Sequence, residues 1–316
     1  MDAHTVHPCP LCDLRFVTRN ELGQHVALDH APAVHDDIPA PRHARGVIML
    51  PLDPTRPPTA ALPVAAALGR QAELAVEPVA ASTGGPPDRY LAARRAEIRA
   101  AGAMTTPGRE VAPPVADGIV AHLEHTLPTL ACLSARAWPG LRHHTLGSVS
   151  DRVVRGSPVP VVLVGPHVRH PGAPIERLVA GYDGSPLAFH ALGVAADLAG
   201  CLGVGLEVIQ VVTPEMGDGG PEATLLEEAV ASMATPPRSC RAVHDDNPVR
   251  TLAEHAGERG DTLLVVGTHG RHGLERFVLG SVAVGLARHA AVPVVVVPHD
   301  AALRLHTEPS IDGAGA

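Results

Sequence analysis

Residues 262 to 297 read TLLVVGTHGRHGLERFVLGSVAVGLARHAAVPVVVV. An apolar run ending at Gly267 is followed by a glycine-containing segment, then by a stretch of helical character from Ser281, then by a second apolar run. Short unbroken runs of Val and Leu suit strands buried on both faces, and a helix between two such runs is the connection that parallel strands need. Glycine lets backbone N–H groups approach a ligand, and a helix start offers free N–H groups and a positive dipole end. The segment 267 to 281 therefore reads as a cradle for phosphate, with a bare surface loop as the alternative.

The unit occurs twice. LGSVSDRVVRGSPVPVVLVGP at 146 to 166 is echoed by LGSVAVGLARHAAVPVVVVPH at 279 to 299, and VIMLPLD ending at Asp53 is echoed by LVAGYDGS around Asp183. Agreement at both ends of a unit indicates tandem duplicated domains. In the second half LVAGY, LEVIQVV, CRAVH, TLLVVG and PVVVV alternate with longer Ala-rich amphipathic stretches. That alternation predicts an α/β fold, a doubly wound parallel sheet in each half with its own core. Ser185 is the expected cap and Pro186 the first residue of the helix after Asp183. Ligands of such sheets bind beyond the carboxyl ends of the strands, where strand order reverses, and Asp183 and the loop from Gly267 both directly follow strands. The expected domains are residues 1–44, 45–167 and 177–299, with a tail at 300–316.

Composition narrows the function. The 316 residues are 45% hydrophobic but only 2% aromatic, so the core is built from Ala, Val and Leu. A net charge of −8 argues against a protein that neutralises nucleic-acid backbones. The N-terminus, MDAHTVHPCP, has neither a basic region nor an apolar run, and no segment approaches the roughly 20 apolar residues that span a bilayer. A cytoplasmic location and no membrane partner are expected. Five cysteines in a chain of this length do not make a disulfide framework.

Two of those cysteines stand at metal-ligand spacing. CPLCDLRFVTRNELGQHVALDH, residues 9 to 30, sets Cys9, Cys12, His25 and His30 in the C-x2-C-x12-H-x4-H pattern of a ββα zinc finger. Phe16 and Leu22 fall where such a finger keeps its small core. Residues 1 to 40 carry six carboxylates against Arg15 and Arg19. One acidic finger covering about 3 base pairs is a poor DNA reader, so a structural or protein-contacting module is expected. The segment APAVHDDIPAPRHA, 31 to 44, reads as a proline-rich linker.

The G-x2-G-x9-G-S pattern of Gly267, Gly270, Gly280 and Ser281, with the strand-end Asp183-Gly184-Ser185, resembles the universal stress protein family. The resemblance covers residues 45 to 167 and 177 to 299 as tandem domains and implies strand order 3-2-1-4-5, pairing of the two domains through their last strands, and room for a homodimer. It also implies ATP, with Mg2+ as a companion ion, in the second half: Asp183 on the nucleoside, the backbone of Val211 on adenine, and the glycine loop with Ser281 on the phosphates. A carboxylate such as Asp183 repels phosphate and suits ribose hydroxyls, which agrees with that assignment.

The first half departs from the pattern. Ser134 and Ala137 stand at its first two glycine positions and Trp138-Pro139 crowds the loop, so side chains occupy the space where backbone must meet phosphate. One nucleotide site per chain is expected, although Asp53 and Gly147-Ser148 remain. No P-loop lysine, paired carboxylates or nucleophile triad is present, so the leading expectation is a nucleotide-binding stress-response module. A slow ATPase or phosphotransferase and a zinc-finger transcriptional regulator are the alternatives.

Overall fold

The computed structural model describes residues 7–8, 15–16, 44–55, 60–81, 87–135, 146–213, 222–268 and 279–305. Near the N-terminus β1 (His7–Pro8) and β2 (Arg15–Phe16) pair antiparallel. The first half then runs β3 (Val47–Leu52), α1 (Ala61–Gln71), β4 (Ala75–Ala81), α2 (Pro87–Ala100), β5 (Arg109–Val111), α3 (Val115–Thr126), β6 (Leu130–Ser134), α4 (Ser148–Gly156) and β7 (Val161–Val164). The second half repeats that order as β8 (Arg177–Tyr182), α5 (Pro186–Leu202), β9 (Gly205–Val212), α6 (Glu222–Ala231), β10 (Ser239–His244), α7 (Pro248–Gly257), β11 (Thr262–Gly267), α8 (Ser281–His289) and β12 (Val294–Val297).

Local chemistry sets the element boundaries. Ser185 caps α5 by accepting a hydrogen bond from Ala188 N at 3.0 Å, Pro186 opens the helix, and Gly203 closes it at φ +68°, a left-handed conformation that favours glycine. Asn247 caps α7 in the same way, accepting from Arg250 N at 3.0 Å, with Pro248 next in sequence. The Val/Leu runs of β7, β11 and β12 are almost wholly buried because helices cover both faces of the sheet.

Ten strands form one sheet in the order β10-β9-β8-β11-β12-β7-β6-β3-β4-β5. Within each half every pair is parallel. The halves meet through β7 and β12, which pair antiparallel with Val162 opposite Val295. The outer edges are kept short or polar: β5 has three residues, and β10 is largely exposed with Arg241 in its middle. Both features discourage edge-to-edge association.

The joint overturns the expectation that each half owns its core. One apolar layer, under α1 and α5, contains Leu50, Leu68 and Val162 with Leu178, Leu198 and Val295. The opposite layer, under α3, α4, α7 and α8, contains Leu123 and Leu163 with Leu264 and Leu286. A continuous sheet presents one surface on each side, so helices from both halves pack on it together. Gln71 on α1 ties the halves further, donating to Ile175 O at 2.6 Å and Leu202 O at 3.0 Å and accepting from Ile175 N at 2.9 Å. The expected tail is also partly fold. Ala301 is fully buried, Leu303 and Leu305 pack on the core, and Thr129 Oγ1 donates to Arg304 O at 2.5 Å. Among the described residues no helix is long and apolar enough to cross a membrane.

Candidate functional site

Strand register gathers the candidate residues of the second half at one end of the sheet. Asp183 follows β8, whose last pair with β9 is Tyr182 opposite Gln210, so Val211 stands one residue past that ladder. On the other side β8 pairs with β11 through Ala180 opposite Val265, which brings Gly267 level with the end of β8. The helices after β8 and β11 leave to opposite faces, and this divergence opens the crevice in which doubly wound sheets hold ligands.

Asp183 is half-buried, and its Oδ1 accepts a hydrogen bond from Ser185 N at 3.0 Å. The turn is possible because Gly184 adopts φ +81°. Across the crevice, Thr268 N donates to Val297 O at 3.0 Å and Gly280 N donates to Thr268 O at 2.6 Å. These two bonds return the chain to the end of β11, so α8 begins beside the strand that opened the loop. Gly280 is the N-cap residue of α8, no side chain caps that helix, and its first turn holds no acidic residue. Ser281 is exposed. Free N–H groups at an uncapped, uncharged helix start are suited to an anion. Gly270 lies outside the described residues.

The first half repeats the scaffold but not its chemistry. Asp53 Oδ1 accepts from Thr55 N at 3.0 Å and from Thr55 Oγ1 at 2.6 Å, and Ala135 N donates to Val164 O at 2.9 Å as Thr268 does to Val297. Gly147 precedes α4 in the same extended conformation, yet Asp151 sits in the first turn of α4, ion-paired with Arg155 at 2.8 Å. A carboxylate there competes with an incoming anion for the helix end. The Ser134 carbonyl is taken by the Ser150 hydroxyl at 3.1 Å. Ala137, Trp138 and Pro139 lie outside the described residues.

Two features escaped the sequence reading. Gln210, next to Val211, is fully buried, and neither polar atom of its side chain has a hydrogen-bond partner. The second is a His–Glu contact present in both halves: His122 Nε2 on α3 lies 3.0 Å from Glu77 Oε2 on β4, and His255 Nε2 on α7 lies 3.1 Å from Glu207 Oε2 on β9. Arg241 Nη2 meets His255 Nδ1 at 2.6 Å. An arginine nitrogen only donates, so Nδ1 accepts and Nε2 carries the proton offered to Glu207. Arg177 adds an ion pair to Glu207 at 3.2 Å. Burial works against ionisation of Glu207, but bonds from His255 and Arg177 hold its carboxyl below the usual glutamate range. Equivalent positions could have been found by superposing the repeats, although pairing across 45 and 48 residues leaves no local signal.

The four expected zinc ligands, Cys9, Cys12, His25 and His30, all lie outside the described residues. Among the described residues no group of three or more His, Cys, Asp or Glu side chains could hold a metal ion. Cys132, Cys201 and Cys240 are free thiols.

Comparison with known proteins agrees with the geometry. The family model described as the universal stress protein family matches residues 42–165 and 174–298. The chain belongs to the universal stress protein family. A universal stress protein of Mycobacterium tuberculosis is 37% identical over 171 residues, 48% of this chain and 55% of its own length. The chain thus spans little more than half the length of such curated relatives. Two solved structures share the fold. A functionally unknown protein of Pseudomonas aeruginosa has TM-score 0.61 at 17% identity, over 81% of this chain and 93% of its own. A universal stress protein of Archaeoglobus fulgidus has TM-score 0.54 at 22% identity, over 80% of this chain and 98% of its own.

Proposed function

We propose that the second half of this universal stress protein binds an adenine nucleotide, ATP with Mg2+ as companion ion, and that occupancy of this one site governs its action as a stress-response module. The observation that supports the reading is the start of α8: uncapped, free of acidic residues and held at the end of β11 by the Gly280–Thr268 bond, facing Asp183 across the crevice. Phosphates meet the N–H groups around Gly267, Gly270, Gly280 and Ser281, the Asp183 carboxylate accepts from ribose hydroxyls, and the Val211 backbone meets the adenine edge. Mg2+ supplies positive charge to the phosphates.

The N-terminal segment is a second binding unit in this reading. One Zn2+ is held by Cys9, Cys12, His25 and His30, and the finger contacts a protein partner. Its support is the ligand spacing and the β1–β2 pair, His7 opposite Phe16, which brackets both cysteines as a finger hairpin would. Native mass spectrometry of protein purified without denaturant tests both parts together. The expected mass includes one zinc and one adenine nucleotide per chain, and Cys12→Ser removes only the zinc. A nucleotide-free mass after incubation with excess ATP rejects the first part, and equal zinc in wild type and Cys12→Ser rejects the second.

A further inference from the structure

The degenerate first half contains a guanidinium where packing calls for a hydrocarbon. Tyr90, Arg94, Ile98 and Ala101 follow one another at helical spacing along α2 and its end, and Tyr90, Ile98 and Ala101 all pack on the core layer beneath α1. Arg94 is only 6% exposed. Its Nη2 pairs with Glu97 at 2.8 Å, and its guanidinium carbon lies 5.2 Å from the Tyr90 ring centroid. Its Nε and Nη1 have no hydrogen-bond partner. A buried charged donor without an acceptor is costly, and native structures retain one where something else completes it.

The position of Arg94 indicates what completes it. The Tyr90 hydroxyl reaches Asp53 O at 3.4 Å, which sets this stripe of α2 beside the end of β3, the counterpart of the crevice in the second half. The Asp53 carboxylate is engaged by the Thr55 amide and hydroxyl. Burial pushes the Tyr90 phenol up against the opposing pull of Arg94, with Asp53 and Glu97 adding to the rise, so these four groups share one electrostatic neighbourhood. The free donors are one N–H on Nε and two on Nη1, spread around a planar cation. That set suits a compact oxyanion better than a single carbonyl.

We propose that Arg94, with Tyr90 as its aromatic wall, forms an oxyanion site in the first half, a receptor for a phosphate group that does not use the glycine cradle. The site is separate from the nucleotide site proposed for the second half and stands or falls apart from it. The ligand is a phosphate, either free or carried by a nucleotide.

Thermal melting in inorganic phosphate tests the proposal with wild type, Arg94→Met, Arg94→Lys and Gly280→Val. Arg94→Met keeps the aliphatic volume and removes the orphaned donors, so in phosphate-free buffer it is expected to melt no lower than wild type. Wild type and Gly280→Val are expected to gain about 5 °C at phosphate a hundredfold above its dissociation constant. Arg94→Met loses that gain and Arg94→Lys keeps only part of it, whereas a general salting effect would raise all four equally. Adenosine monophosphate titrated into Gly280→Val separates the sources: a shift at lower concentration than phosphate needs assigns a nucleotide phosphate, and an equal or weaker one assigns free phosphate. No shift in wild type, an undiminished shift in Arg94→Met, or a shift lost only in Gly280→Val overturns the proposal.

Discussion

Asp183 and Gln210 pose opposite questions at the end of the same two strands. Asp183 is held by its own turn through Ser185 N, so Asp183→Ala removes a carboxylate whose orientation does not depend on ligand. The expected loss is about 1 to 3 kcal/mol of ATP affinity, with the phosphate contacts intact, as read by calorimetric titration. Unchanged affinity would remove Asp183 from the site. Gln210 has a buried amide with no partner, and replacing such a group by a hydrocarbon of similar size is neutral or stabilising. Gln210→Leu is therefore expected to melt no lower than wild type. A loss of more than about 2 kcal/mol in denaturant unfolding would show that the amide has a buried partner. Asp183 was legible in the sequence because a turn signal, a cap and a helix-opening proline follow it directly. Arg94 was not, because α2 is charged along most of its length and only the folded packing reveals that Arg94 and Arg95 are buried while its other arginines are not.

At the scale of elements, the sequence displayed what is periodic and local. Apolar runs located β8, β9, β11 and β12, and the repeat located β3 and β7, since a strand buried on both faces must be written as a near-continuous apolar run; β10, largely exposed, showed only as the short run CRAVH. The antiparallel β7–β12 joint was accessible only through the resemblance, because an edge and a buried strand of this kind carry the same residues. The His–Glu contacts that tie α3 to β4 and α7 to β9 were invisible for a related reason: nothing near His255 in sequence announces Glu207. Their energetics give a pH prediction. Glu207 has a lowered folded-state pKa, so its contribution to stability is present above the unfolded value, about 4.3, and is lost as pH falls through the lower folded value. Unfolding by urea at a series of pH values should show a steeper acid loss in wild type than in Glu207→Gln, which is uniformly less stable at neutral pH. Parallel curves for the two proteins would mean that the contact carries no linked proton.

For the whole molecule, the joint makes two domains interdependent. Val162, Val294, Val295 and Val296 are at most 1% exposed, and burying each such side chain contributes on the order of 1.5 to 3 kcal/mol relative to leaving it in water. Residues 174 to 305 expressed alone would present β12 as an open apolar edge, so self-association through that edge is expected, and sedimentation should give a dimer or larger species. A stable monomer at micromolar concentration would contradict the shared core. This arrangement leaves the two crevices chemically distinct within one sheet: the second-half crevice has Asp183 and a helix start free of acidic residues, and the first-half crevice has Asp151 in the first turn of α4, while neither helix start has a side-chain cap. The central claim is that ATP is held by the second-half crevice. Calorimetric titration of ATP into wild type, Gly280→Val and the mirrored Gly147→Val tests it most directly: Gly280→Val should weaken binding by at least about tenfold, or about 1.4 kcal/mol, while Gly147→Val leaves it within error. Binding abolished by Gly147→Val and untouched by Gly280→Val would contradict the account.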